Sequence, residues 1–196
     1  MSPDDVAIVS GLPRSGTSMM MRMIAAGGVP VLGDGVRAAD EDNPLGYFEY
    51  EPVKATRRDA RWVAGARGKV VKIVHALLTA LPDGYRYRVV LMHRDLDEVL
   101  ASQAKMLARS GHPEGAAPPD VLKRAYTGQL RDLDRWLDER PQFARLDVHY
   151  DEVVADPAGQ AERVAAFLDL DGQSGAMAAA VDTALYRNRA DILGNT

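Results

Sequence analysis

Short apolar runs alternate along this chain with longer stretches in which apolar side chains return every three or four positions. The runs at 6–10, 70–74, 87–92 and 145–150, and more weakly 29–32, have the length and Val/Ile content of buried strands. The helical spacing covers 16–26, 53–66, 95–110, 119–139 and 157–168, with a short last helix over 175–183. Strands that alternate with helices predict an α/β domain: a parallel sheet of about five strands flanked by helices. No internal repeat or low-complexity linker interrupts the pattern, so one domain over 1–196 is expected.

Some boundaries carry their own chemistry. Asp95 followed by Glu98 is spaced as a capping box. Asp156 before Pro157 suits an N-cap and a first helical turn. The Pro/Gly-rich segment "GHPEGAAPPD" (111–120) reads as a mobile lid. A second long loop, 33–47, falls on the side where a parallel sheet places its site.

Composition narrows the class. Hydrophobic residues make up 46% of the 196 and charged ones 27%, as in globular proteins. A net charge of −4 argues against a general nucleic-acid surface, which needs many clustered cations. There is no cysteine, hence no disulfide, thiolate metal site or Cys nucleophile. No run approaches the roughly 20 apolar residues of a membrane span, and the acidic start "MSPDDVAIVSG" is unlike a secretory signal. A cytoplasmic protein with no membrane or nucleic-acid partner is expected.

The stretch "VSGLPRSGTSMM" (9–20) carries the chemistry. Gly11 and Gly16 stand five apart, directly after an apolar strand and at the start of a helix. Backbone N–H groups then converge at a positive helix end, which is an anion site. Ser15, Thr17 and Ser18 add hydroxyls, and Arg14 adds a cation inside the loop. The spacing is that of G-x-x-x-x-G-K-[ST], but Thr17 stands where the lysine belongs. The run 87–92 ends in His93-Arg94 rather than in a magnesium-binding aspartate. Both departures weaken a nucleoside-triphosphatase reading, because phosphoryl transfer draws on that lysine and on Mg²⁺. A sulfuryl group bears less charge, so one cation can serve it.

Here the sequence resembles the sulfotransferases that use 3′-phosphoadenosine 5′-phosphosulfate (PAPS). "PRSGTS" (13–18) matches their P-[KR]-[ST]-G-[ST] loop. "RDLDEVLAS" places Arg94 and Ser102 at the family's eight-residue spacing. "YDEVVADPAGQAERVAAFLDL" (150–170) is similar to its Y-E-D-L-x-x-D-P segment and following helix. The three occur in family order.

The resemblance implies a P-loop-type sulfotransferase fold, PAPS as co-substrate, 3′,5′-ADP as product and no required metal. Arg14, Ser15, Gly16, Thr17 and Ser18 would hold the 5′-phosphosulfate, and Arg94 with Ser102 the 3′-phosphate. Tyr150 would lie near the adenine. Arg187 and Arg189 stand where longer members close a basic loop over the 3′-phosphate, although the R-K-G pattern is missing.

Transfer to a hydroxyl needs a base. Glu49, in "NPLGYFEYEP", lies among Tyr47, Phe48 and Tyr50, surroundings that raise a carboxylate's basicity. His75 follows Lys72 with one residue more than the family's K-T-H, and a one-residue shift turns a strand side chain to the other face. Glu49 is therefore ranked before His75. Lys72 is a candidate for the leaving-group oxygen. Met19, Met20, Met21 and Met23 on the first helix read as core.

The expectation is thus transfer of a sulfuryl group from PAPS to a hydroxyl or amine of a small-molecule acceptor, with room for a second subunit over the site. Two alternatives stay open: an atypical P-loop kinase or NTPase, and a non-catalytic 3′-phosphonucleotide-binding module. The acceptor is not encoded in any pattern recognised here.

Overall fold

The computed structural model describes residues 1–36, 46–109 and 117–182. Among these are four strands: β1 (Asp5–Gly11), β2 (Val70–Val74), β3 (Arg86–His93) and β4 (Phe143–His149). All pair in parallel, in the order β2-β1-β3-β4. The first crossovers run through α1 (Thr17–Ala26), α2 (Glu51–Lys54) and α3 (His75–Leu78). α4 (Leu96–Arg109) and α5 (Pro119–Asp138) join β3 to β4, and α6 (Tyr150–Ala155), α7 (Pro157–Phe167) and α8 (Ser174–Ala179) follow.

Strand periodicity explains the two cores. Every residue of β1 is buried, because the sheet is covered on both faces. Ala7 and Val9 point to one side, against Met20, Met23 and Ile24 of α1 and Val164 of α7. Val6 and Ile8 point to the other, against Val63, Leu78 and the Leu133–Leu137 stripe of α5. The four methionines expected in the core are buried there.

The chain leaves β1 for β2 on one side and leaves β3 for β4 on the other. The strand order therefore reverses between β1 and β3. At such a point the connections diverge and open a crevice beyond the carboxyl ends of the strands.

The expected helical starts at Asp95 and Asp156 are present. Asp95 Oδ1 accepts the N–H groups of Asp97 (2.9 Å) and Glu98 (3.1 Å). Asp156 Oδ1 accepts Gly159 N–H at 2.9 Å, with Pro157 opening α7.

Three expected elements differ. Residues 29–32 form a single parallel bridge, Val31 to Val70, rather than a strand. Pro30 offers only its carbonyl to Val70, Leu32 N–H returns one bond, and no ladder continues. The helix expected over 53–66 is two pieces, α2 and a 3₁₀ turn at Arg61–Ala66. Asp59 intervenes: its carboxylate accepts the Arg61 N–H at 3.0 Å and holds the Arg61 side chain, a local bond that competes with helix. Finally, Tyr150 opens α6 instead of closing β4, with two acidic residues, Asp151 and Glu152, in that first turn. Most of the expected lid (111–120) and of the 33–47 loop lies outside the described residues, and the lid's last two residues, Pro119 and Asp120, open α5. No helix among them is long and apolar enough to cross a membrane.

Candidate active site

The loop after β1 is wound by its own sequence. Gly11 has φ 151° and Gly16, at the N-cap of α1, has φ 94°, both in the region glycine favours. A Cβ at Gly11 would come within 2.6 Å of the Met92 carbonyl oxygen, and one at Gly16 within 2.3 Å of Tyr150 Cδ2. Glycine is needed at both for contact as well as for torsion. Between them Arg14 sits at φ 75°, a strained torsion for a residue with a side chain. Ser15 is buried and ties the curl, donating its hydroxyl to Leu12 O at 2.8 Å. No side chain caps α1, so its first N–H groups point at the crevice.

Two other parts of the chain hold this loop, α4 and the residue just beyond β3. Ser102 Oγ accepts from Arg14 Nε at 2.9 Å, and Gln103 Nε2 donates to Pro13 O at 3.2 Å. Arg94, just beyond β3, donates from Nη1 to Arg14 O at 3.1 Å. Its Nε meets the buried Glu98 carboxylate at 2.8 Å, and its guanidinium lies 4.5 Å from the centre of the Tyr150 ring. Burial pushes the Tyr150 phenol above its ordinary pKa, so it stays protonated near neutrality.

These groups enclose a cleft of about 300 Å³ at the switch between β1 and β3. Arg14, Gly16, Thr17 and Ser18 line it from the loop, and Arg94 and Tyr150 from the far wall. Lys72 enters from β2 and reaches Ser18 Oγ at 3.3 Å and Tyr47 O at 3.1 Å. Glu49 also lines it, with Lys54 Nζ 3.7 Å from its carboxylate. Phe48 beside it has φ 54°, a second strained residue at the rim. The apolar part of the wall includes Met19, Val74 and Met106. Four cations (Arg14, Arg22, Lys72 and Arg94) against the carboxylate of Glu49 make the cleft basic within an acidic chain.

Not every expected residue opens onto this cleft. Ser15 and Ser102 are buried beside it with their hydroxyls bonded inside the loop. His75 opens α3 and turns away: its Nε2 is 2.8 Å from Gln129 Oε1 on α5, and its buried Nδ1 has no partner among the described residues. Lys72 is directed into the cleft while His75, three positions on, faces α5. Arg187 and Arg189 lie outside the described residues. Among the described residues no cluster of His, Asp and Glu is arranged to hold a metal.

Arg22 was missed in the sequence. It lines the cleft from α1, one helical turn past Ser18. The signal was available: an arginine set among four methionines, on a helix whose neighbours are core, needs a reason to be there.

Comparison with known proteins bears on this geometry. Residues 37–174 match the model of the sulfotransferase family, a stretch that contains Glu49, Lys72, Arg94, Ser102 and Tyr150 and begins after the loop. No curated protein matches the sequence. Three solved structures share the fold. The sulfotransferase domain from the Synechococcus PCC 7002 olefin synthase has a TM-score of 0.53 and 16% identity, over 100% of this chain and 84% of that one. The mouse sulfotransferase SULT7A1 complexed with PAP has a TM-score of 0.54 and 15% identity, over 97% of this chain and 68% of that one. The sulfotransferase domain from the curacin biosynthetic pathway has a TM-score of 0.52 and 14% identity, over 97% and 95%.

Proposed function

This chain belongs to the sulfotransferase family, and from that premise we propose that it moves a sulfuryl group from PAPS to a hydroxyl or amine of a small molecule. One observation carries the reading. The glycine loop after β1, with its open helix N-terminus and strained Arg14, meets Arg94, just beyond β3, and Tyr150 across a single basic cleft. A donor with two separate anionic groups suits such a cleft. The mouse neighbour, solved with PAP, supports the same product class, 3′,5′-ADP.

The residues divide the work as follows. The amides of Gly16–Ser18 and the Thr17 and Ser18 hydroxyls hold the 5′-phosphosulfate. PAPS supplies the sulfuryl group and a phosphate leaving group. Arg14 and Lys72 oppose the charge that grows on the leaving oxygen, an interaction that strengthens only toward the transition state. Glu49 takes the acceptor's proton, and the apolar wall around Met19 and Met106 seats the acceptor. Tyr150 and the Arg94 guanidinium above it form the wall for the nucleoside.

Thermal stability tests the donor class. A ligand bound only by the native state raises the melting temperature by mass action. 3′,5′-ADP should raise it more than ADP does, and EDTA should leave that rise unchanged. Equal shifts for both nucleotides, or a rise that appears only with Mg²⁺, would sink the proposal in favour of a P-loop kinase or NTPase.

A further inference from the structure

Three bonds from outside the loop act on its strained residue, and each fixes a different part of it. Ser102 Oγ accepts from Arg14 Nε and holds the side chain. Arg94 Nη1 donates to Arg14 O, in the peptide plane that follows Arg14. Gln103 Nε2 donates to Pro13 O at 3.2 Å, in the plane that precedes it. Peptide units are rigid, so only φ and ψ of Arg14 turn these two planes against each other. A donor fixed on Pro13 O therefore steadies φ, and one fixed on Arg14 O steadies ψ. A φ of 75° persists only where its surroundings over-determine it. Gln103 does so without being among the residues that line the cleft.

Gln103 is itself held in one direction. A carbonyl only accepts, so the amide must turn its nitrogen to Pro13 and its oxygen away. That oxygen accepts from Tyr126 OH of α5 at 3.0 Å. Tyr126 lies in the less embedded part of its helix. No residue of 119–132 is buried, and the buried side chains of α5 are Leu133 and Leu137. Side-chain bonds seat this stretch from every third position: Lys123 on Asp97 at 2.7 Å, Tyr126 on Gln103, and Gln129 on His75 at 2.8 Å. Positions three apart share a helix face. A polar stripe thus docks the amino half of α5 on α4 and α3, while apolar packing secures its carboxyl half. Water replaces such bonds at little net cost, so the amino half is the part that opens first.

We propose that Gln103 is a positioning residue that fixes the backbone of Arg14 for the 5′-phosphate of the donor, and that Tyr126 locks its amide, so that the loop tightens when the amino half of α5 docks; the identity of the ligand rests on the PAPS reading above. With α5 undocked, Gln103 turns freely and the loop softens. By linkage, a 5′-phosphate that needs the tight loop favours the docked helix to the same extent.

Two measurements test this on the full chain and on Gln103→Met, Tyr126→Phe and the double variant. The first is hydrogen exchange of the Ser15 amide without ligand, because its bond to Leu12 O at 3.2 Å closes the loop. Gln103→Met keeps the side-chain length and removes both amide bonds. Exchange at Ser15 should quicken about threefold to tenfold, the scale of one lost hydrogen bond. Tyr126→Phe should act in the same direction and less. The double variant should go no further than Gln103→Met, because Tyr126 acts through Gln103. The second is affinity for 3′,5′-ADP and, by competition, for 3′-AMP. Gln103→Met should weaken 3′,5′-ADP about threefold to tenfold and 3′-AMP less than about twofold, since 3′-AMP lacks the group held at the loop. Unchanged Ser15 exchange or unchanged 3′,5′-ADP affinity in Gln103→Met overturns the positioning role. Equal weakening of both nucleotides overturns it too, by showing a purely structural role. Additive effects in the double variant overturn the lock by Tyr126. A wild type that binds 3′,5′-ADP no better than 3′-AMP refutes the donor reading, and Ser15 exchange then still decides the role of Gln103.

Discussion

At the amino edge of the sheet, Asp5 of β1 accepts Arg86 Nε at 2.8 Å and Arg88 Nε at 2.9 Å, and Arg88 also reaches Phe167 O and Asp169. Burial pushes the Asp5 carboxyl up, but the hydrogen bonds from Arg86 and Arg88 more than offset it and leave its pKa lowered. At the carboxyl edge, in the loop and helix that follow β1, arginines serve differently. Arg14 is held at a left-handed torsion and Arg22 has donors with no acceptor among the described residues. One edge pairs its charges within the chain and becomes a brace. The other lines a basic cleft with its charges, which on the proposed function a ligand completes. The same residue type stabilises or functions according to whether the fold supplies its counter-charge, and local rules are broken where function lies.

The comparison can be broken most severely at the carboxyl edge by adding one carbon. In Gly16→Ala the new Cβ would meet the Tyr150 ring at 2.3 Å with φ at 94°. The variant should lose about 3 kcal/mol or more of stability and the thermal response to 3′,5′-ADP, as a clash on top of a forbidden torsion demands. Denaturant melts with and without the nucleotide check this. A variant that melts and binds like the wild type would show the loop to be far softer than its geometry.

Arg14 separates strain from use. Arg14→Gly relieves the φ of 75° but also loses the bond to Ser102, so its melting temperature should stay within a few degrees of the wild type. Its kcat should fall roughly a hundredfold, the scale of deleting one preorganised donor to developing charge. Arg14→Lys should keep much of the rate. An unchanged kcat in Arg14→Gly would move the leaving-group role to Lys72.

The amino edge should respond in the opposite manner, and less. Asp5→Ala should cost about 2 kcal/mol, between the values for surface and fully buried ion pairs. In a chain of this size that lowers the melting temperature by roughly 4–8 °C. Nucleotide affinity should not change. The pH dependence sharpens the point. Asp5 has a folded pKa below its ordinary value of 3.8, so its contribution is complete above that value and is lost as pH falls through the lower, folded one. The gap in stability between wild type and Asp5→Ala should hold at neutral pH and close only in acid below about pH 4. A gap that persists there would mean that packing, not charge, makes the brace.

Much of the fold could be read because its rules are local. The strand, loop and first helix of residues 5–26 follow from a short apolar run and two glycines, and the caps at Asp95 and Asp156 from a few neighbouring residues. Where reading failed, another short-range bond was overlooked, as with Asp59 cutting the helix over 53–66, or the decisive partner lay far off. His75 is turned from the cleft by Gln129, 54 positions away. Ser102 is engaged by Arg14, 88 positions away.

The sequence by itself therefore determined which backbone segments could bend, cap and extend, and so the glycine loop that opens onto the cleft. Torsional and capping energies depend on a residue and its nearest neighbours. It also determined the chemical inventory of the cleft. Only the tertiary structure decided how that inventory is used: which arginine is paired, which hydroxyl is buried and which cation is left wanting. Those outcomes depend on the position of a counter-charge, and a side chain's neighbours in space are set by the packing of both faces of the sheet, which no stretch of sequence specifies alone.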